Sequence, residues 1–379
     1  VSRRQRTRIG LAGVAATALA AGVPATAAAQ SVWRLEQPDP PEGAPFAVPL
    51  GAPGDIRFLA PNRGLLSVEG NAAIARGLLF YDGARWRQLA TVCGGSADTT
   101  RVAWAGPAEF WTIAEPSRPR AGAGTALCRF KDGVVVGSYS TADASPDPYR
   151  QMVAAACDGP SSCWFGGGGA QDALGQRVGG FHLHWDGTDV RTVYAPQGRG
   201  VSAIAVFGGR FLESTFVGRA RENRADPVDL AQPESPGPRI LHAIGPDGFR
   251  NEPFVASSRP ETPDDGTELL TIDSDGANVW AGGGGAASGP AAPADGSVPR
   301  PPIAVRRAGD FWQELPLDES RFGPTDLITA IAAMPGSPDA IAAVSAFADR
   351  RSTTAKARVA RIGPAGEVTV TTLPASGAG

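Results

Sequence analysis

Asp-Gly hairpins that recur along the chain, an aromatic-then-glycine strand that returns in several places, and the lack of any sustained helical period after residue 29 together predict an all-β fold. The expected architecture is a β-propeller of four-stranded antiparallel blades. Six such units are recognisable, at about 55–92, 101–140, 151–195, 201–256, 269–318 and 327–374. Their spacing, roughly 45–65 residues, falls in the range of propellers and other arrays.

Each unit opens with a pair of apolar runs around a tight turn. The clearest are MVAAACDGPSSCWFGGGG (152–169) and LLTIDSDGANVWAGGGG (269–285). The others are DIRFLAPNRGLLSVEG (55–70), RVAWAGPAEFWTIAE (101–115), VSAIAVFGGRFLESTFVG (201–218) and LITAIAAMPGSPDAIAAVSA (327–346). After a variable stretch a second hairpin follows, as in LLFYDGARWRQL (78–89), CRFKDGVVVGSY (128–139) and HLHWDGTDVRTV (182–193). Asp-Gly between two alternating runs is a strong hairpin signal. The aromatic at Trp111, Trp164, Phe216 and Trp280 lies in each unit's second strand, where blades are expected to pack face to face. The glycines after it are expected to let the strand kink as it leaves the sheet.

These strands carry a resemblance. The aromatic-glycine second strands followed by DG-x-x-W hairpins resemble photosystem II assembly-factor-like propellers. YDGARW (81–86), GDFW (309–312) and FGGGG (165–169) are similar to kelch repeats. The likeness covers 55–374 in degenerate form and implies a fold; such families share no common activity. SDGANVW (274–280) approaches the Asp-box of sialidase-like propellers, but in a different turn of the blade.

Residues 1–29 read as a signal peptide: Arg3, Arg4, Arg6 and Arg8, then the apolar stretch 9–23, then a small-residue cleavage site at Ala27-Ala28-Ala29. Ser2-Arg3-Arg4 hints at twin-arginine export, without the hydrophobic pair that usually follows. Residues 30–379 are then one exported propeller domain, secreted or held in the cell envelope, with no membrane span in the mature chain. The four cysteines, in an oxidising compartment, read as two disulfides. Cys157 and Cys163 close the shortest loop, which leaves Cys93 with Cys128; free buried thiols are the alternative. SVWRLEQP (31–38) looks like an outermost strand, so the ring is either six-bladed with a spare edge strand or an incomplete seven-bladed one.

The net charge of −3 gives no global field that favours nucleic acid. The glycine runs are followed by no convincing helix or lysine, so they do not read as nucleotide loops, and no cofactor is expected. His182, His184 and Asp186 share a strand face and bear on metal binding; a solvated outer strand, with Phe181, Leu183 and Trp185 buried, is the plainer reading. Asp273 and Asp275 read as turn acids rather than calcium ligands. No G-x-S-x-G stands in the chain. The longest segments fall between the second and third strands of the units and carry Arg118, Arg120, Arg219, Arg221, Arg224, Arg350 and Arg351. Loops on a rigid ring are a usual place for function. The expected role is binding a protein or glycan partner through that face. The alternative is an extracellular carbohydrate-active enzyme, which requires carboxylates converging at the ring's axis.

Overall fold

The computed structural model describes residues 52–60, 62–69, 77–89, 93, 97–116, 125–141, 151–171, 177–194, 199–217, 240–245, 248–252, 254–255, 267–285, 302–323, 326–346 and 358–372. All belong to the compact unit Leu35–Gly379. The signal peptide, the strand proposed at 31–38 and the seven arginines named above lie outside the described residues.

The described chain is an all-β propeller. Sheet 1 is β1 (Ala52–Ala60), β2 (Arg63–Glu69), β3 (Gly77–Tyr81) and β4 (Trp86–Gln88). Sheet 2 is β5 (Ala97–Gly106), β6 (Glu109–Pro116), β7 (Ala126–Lys131) and β8 (Val134–Ser140). Sheet 3 is β9 (Gln151–Cys157), β10 (Cys163–Gln171), β11 (Arg177–Trp185) and β12 (Val190–Tyr194). Sheet 4 is β13 (Arg199–Phe207), β14 (Arg210–Val217), β15 (Ile240–Gly245) and β16 (Gly248–Asn251). The short β17 (Phe254–Val255) leaves sheet 4 and joins β18 (Thr267–Ser274), β19 (Val279–Gly285), β20 (Pro302–Ala308) and β21 (Phe311–Glu314) in sheet 5. Sheet 6 is β22 (Asp326–Ala333), β23 (Ala340–Ala346), β24 (Arg358–Ile362) and β25 (Val368–Thr372). Every sheet is an antiparallel meander in chain order, with β17 added in parallel on the outer edge of sheet 5.

One sheet departs from the expected four-stranded form. Five sheets, rather than six or seven, have the plain four-stranded form. The last hairpin of the fourth unit reads HAIGPDGFRNEPF (242–254) and was expected to run through Phe254. Its strand instead stops at Asn251, and Phe254 and Val255 pair with Trp312 and Gln313 on the next sheet. The buried Glu252 between them holds Arg307 of β20 through Oε2, 2.9 Å from Nη2. That ion pair fixes the crossover from one sheet to the next.

The strands do not end at the glycine runs: β10 and β19 continue through them, with the register shift opposite falling on β9 and β18. What the missing side chains give is proximity. A Cβ on Gly166 would stand 2.8 Å from Val201 of β13, and one on Gly282 would stand 2.5 Å from Ile328 of β22. The first strand of the next sheet therefore packs directly against the glycine backbone. The aromatic residues before the glycines do pack between sheets. Trp111 and Trp280 are fully buried, and Trp164 nearly so. Trp111 packs against sheet 3, Trp164 against sheet 4 and Trp280 against sheet 6. Each such ring removes roughly 150–250 Å² from water, an upper estimate of about 4–6 kcal/mol.

The Asp-Gly turns form as expected, with a shared device. In the 3–4 turns of sheets 1 and 3, Asp82 Oδ1 accepts the N–H groups of Ala84 and Arg85, and Asp186 Oδ1 accepts those of Thr188 and Asp189. Those backbone donors hold both carboxyls below the usual carboxylate range. Asp275 does the same in the β18–β19 turn, accepting from Ala277 and Asn278. Gly83, Gly187 and Gly276 take the positive φ that these turns need. Two disulfides are present, Cys93–Cys128 and Cys157–Cys163. The first ties the segment after sheet 1 to the third strand of sheet 2. The second clips the turn between β9 and β10.

Candidate functional site

The first strands of successive sheets lie side by side, β1 beside β5, β5 beside β9 and so on to β22, and so line the axis of the ring. Three of them meet through charged groups. On β1, Asp55 and Arg57 point to the same side, as alternate residues of a strand must. Arg57 Nε lies 3.2 Å from Asp55 Oδ1, and its Nη1 lies 3.1 Å from Oδ1 of Asp273 on β18. The second oxygen of each carboxylate takes a main-chain donor from the following sheet. Val102 N–H of β5 donates to Asp55 Oδ2 at 3.1 Å, and Ala333 N–H of β22 donates to Asp273 Oδ2 at 3.0 Å.

The electrostatics follow from this geometry. The Asp55 carboxylate raises the Arg57 guanidinium above its ordinary value, with Asp273 adding to the effect and burial opposing it. Burial pushes the Asp273 carboxyl up, against the pull of Arg57 and of the Ala333 amide. Two carboxylates thus converge at the axis, as the enzymatic alternative required. Yet each of the four oxygens is occupied by a fixed donor. Carboxylates held this way are poor bases and poor nucleophiles; what they do well is fasten neighbouring strands.

A buried pair joins sheets 3 and 4. His182 Nε2 lies 2.5 Å from Glu213 Oε2, and both side chains are buried. His182 and His184 do share a face, and Trp164 stacks on His184 at 4.4 Å. The expectation of a solvated strand fails for His182, because β11 is a third strand whose face is covered by sheet 4. Leu183 and Trp185 are buried on the opposite face, as expected. Burial lowers the His184 pKa, against the raising effect of Asp186. Among the described residues no group of three or more His, Cys, Asp or Glu side chains is placed to hold a metal.

Asp273 was expected to be a turn acid. It sits at the end of β18 and faces the axis, while Asp275 alone serves the turn. The partnership of Asp55, Arg57 and Asp273 spans most of the chain, and no local spacing announces it. Glu213 had a readable signal: an acid on the same strand face as Phe211, a position that alternation assigns to the interior. None of the seven loop arginines can be placed, since they lie outside the described residues. Among the described residues no helix is long and apolar enough to cross a membrane.

No known protein family's profile matches the chain, and no characterised protein matches it in sequence. Solved structures that resemble it do so weakly. A GH74 xyloglucanase from Xanthomonas campestris is 13% identical over 86% of this chain, with a TM-score of 0.45. The chain spans 55% of that enzyme's length. The SapL1 lectin, solved with alpha methyl fucoside, is 10% identical over 87% of this chain and 98% of its own, with a TM-score of 0.45. The β-propeller domain of the Trilobed protease from Pyrococcus furiosus is 7% identical over 86% of this chain and 99% of its own, with a TM-score of 0.44.

Proposed function

We propose that residues 30–379 form one secreted binding domain, exported by the signal peptide 1–29, which recognises an acidic glycan or an acidic protein. The observation that carries this reading is the topology. Each sheet is a meander, so the segment between its second and third strands starts and finishes at the edge opposite the first turn. A ring of such sheets presents all of those segments together on a rigid support. They carry Arg118, Arg120, Arg219, Arg221, Arg224, Arg350 and Arg351, and guanidinium groups match carboxylate and sulfate oxygens in pairs. The kelch-like and assembly-factor-like features support a ring and imply no particular ligand. The test is binding of the purified chain to arrayed sulfated and uronic-acid polysaccharides, against a variant with Arg219, Arg221 and Arg224 all changed to Ser. Loss of binding in the variant is expected. Equal binding by both proteins, or none by the native chain at low salt, overturns the proposal.

A second reading rests on the axial carboxylates. The Asp273 carboxyl, raised by burial and close to Asp55, has the arrangement of an acid beside a second carboxylate. A carbohydrate-active enzyme working there loses turnover of a reporter glycoside on Asp273→Asn while keeping its loop-side binding. Retained turnover in that variant excludes the axis as the reacting centre.

A further inference from the structure

Five neighbouring pairs of sheets are joined in the same manner. Each shares an apolar cluster: 1 with 2, 2 with 3, 3 with 4, 4 with 5 and 5 with 6. Each is also cross-linked by polar bonds. Val102 N–H meets Asp55, Arg101 Nε donates to Val153 O at 2.7 Å, His182 meets Glu213, and Ser202 Oγ donates to Leu269 O at 2.7 Å. Ile331 N–H and Ala333 N–H bind Thr271 Oγ1 and Asp273 Oδ2 across the 5–6 contact.

The first and last sheets meet the ring differently. One face of sheet 1, with Leu65, Leu78 and Phe80, packs on sheet 2. The register puts Ile56, Phe58, Leu66, Leu79, Tyr81 and Trp86 on the other face, and of these Leu79 is buried. Ile56 and Phe58 are 51% and 52% exposed. Phe58 makes edge contacts with Tyr81 and Trp86 of its own sheet. Sheet 6 turns Ile328, Ile331, Ala342 and Val344 toward sheet 5. On its other face Ala330, Ala332, Ala343 and Arg361 are exposed. Among the described residues, no apolar cluster joins these two outer faces. The tie that holds sheet 1 to this end of the ring runs instead to sheet 5: Arg57 of β1 bonds to Asp273 of β18, the residue that also holds Ala333 of β22 in sheet 6.

We infer that the ring has a seam between sheets 1 and 6, and that Arg57, braced by Asp55 and gripping Asp273, is the clasp that holds it shut. The two kinds of contact respond differently to solvent. An apolar interface scales with buried area and is not weakened by salt. A partly exposed ion pair is weaker and is screened once the Debye length falls to a few ångströms. Beside the five apolar contacts, opening is therefore least costly at the seam, and β1 and β22 are the strands it uncovers.

Hydrogen–deuterium exchange of the full chain tests this. In about 1 M NaCl compared with about 0.05 M, peptides 52–60 and 326–333 should exchange faster, by roughly fivefold or more. Peptides 151–157 and 201–207, from first strands inside the ring, should not change. Arg57→Met should give the same pattern at low salt. Arg191→Met, whose partner Asp186 lies in the same sheet, should not. Equal acceleration in all first strands, or none in 52–60 and 326–333, overturns the inference. If Arg57→Met fails to fold, the salt comparison on the native chain decides alone.

Discussion

Gly282 offers a direct test of why glycine follows the aromatic residue. It sits in mid-strand, paired with Thr271 on one side and Ala304 on the other. A methyl group there would lie 2.5 Å from Ile328 Cγ2, 3.2 Å from its Cβ and 3.6 Å from its Cδ1. Carbon atoms rest at about 3.5–4.0 Å, so Ile328 must retreat by roughly 1 Å. It has nowhere to go, being fully buried among Trp280, Ala342 and Val344. It is also β-branched, which restricts its rotamers. Overpacking of this kind costs about 1–3 kcal/mol. Replacing glycine returns about 0.4–1 kcal/mol through the unfolded chain, so Gly282→Ala should lose about 1–2 kcal/mol net. Ile328→Ala alone should lose about 2–5 kcal/mol. In the double variant the new methyl faces only a Cβ and occupies part of the vacated space. The two losses should then fall short of additivity by about 1–3 kcal/mol. Urea midpoints at constant slope, followed by tryptophan fluorescence, measure all four proteins. Gly106→Ala, whose added Cβ meets Pro160 at an ordinary 3.5 Å, is the control and should change stability by about 0.5 kcal/mol or less. Additive losses, or a Gly282→Ala as stable as the native chain, would refute the account of the glycine runs.

Three other outcomes follow from the same contacts. The Cys93–Cys128 bridge closes a loop of 35 residues and Cys157–Cys163 one of 6. Removing the first pair to Ser should cost about 3.8 kcal/mol and the second about 2.3 kcal/mol, so their thermal midpoints should rank in that order. Arg57→Met leaves Asp273 buried without its cation, which raises that carboxyl further. A folded-state pKa above the unfolded value means stability falls as pH rises through the interval from about 4 upward. The variant's deficit, measured by urea denaturation, should therefore be larger at pH 7 than at pH 4; equal deficits would contradict it. Glu213→Ala removes the acceptor that meets His182 in the interface between sheets 3 and 4 and should cost about 1–3 kcal/mol, whereas Glu213→Gln, which keeps an acceptor, should cost less; equal midpoints for the two variants would argue against the pair.

Much of the chain's architecture could be read locally. Asp-Gly dipeptides between alternating runs name their own hairpins, because the Asp side chain and the following glycine stabilise the turn within a few residues. The recurrence of those hairpins specifies a ring of meanders, and the shortest cysteine spacing identifies its own partner. The sequence also marked Trp111, Trp164 and Trp280 as interface residues, since each lies in the second strand of its unit. What it could not disclose depends on the neighbour each residue meets. The glycines after Trp164 and Trp280 looked like places to bend, but their purpose depends on how near Val201 and Ile328 come from the next sheet. Phe254 looked like the end of its own hairpin, yet it pairs with Trp312, and only the ion pair of Glu252 with Arg307 explains the crossing. His182 read as solvated because Glu213, which buries and bonds it, lies on another sheet. Arg57 and Asp273 stand 216 residues apart in sequence. Nothing in either residue's surroundings in the chain couples them; the closing of the ring brings a cation and an acid to one axis, and it is there that burial changes their charge energetics.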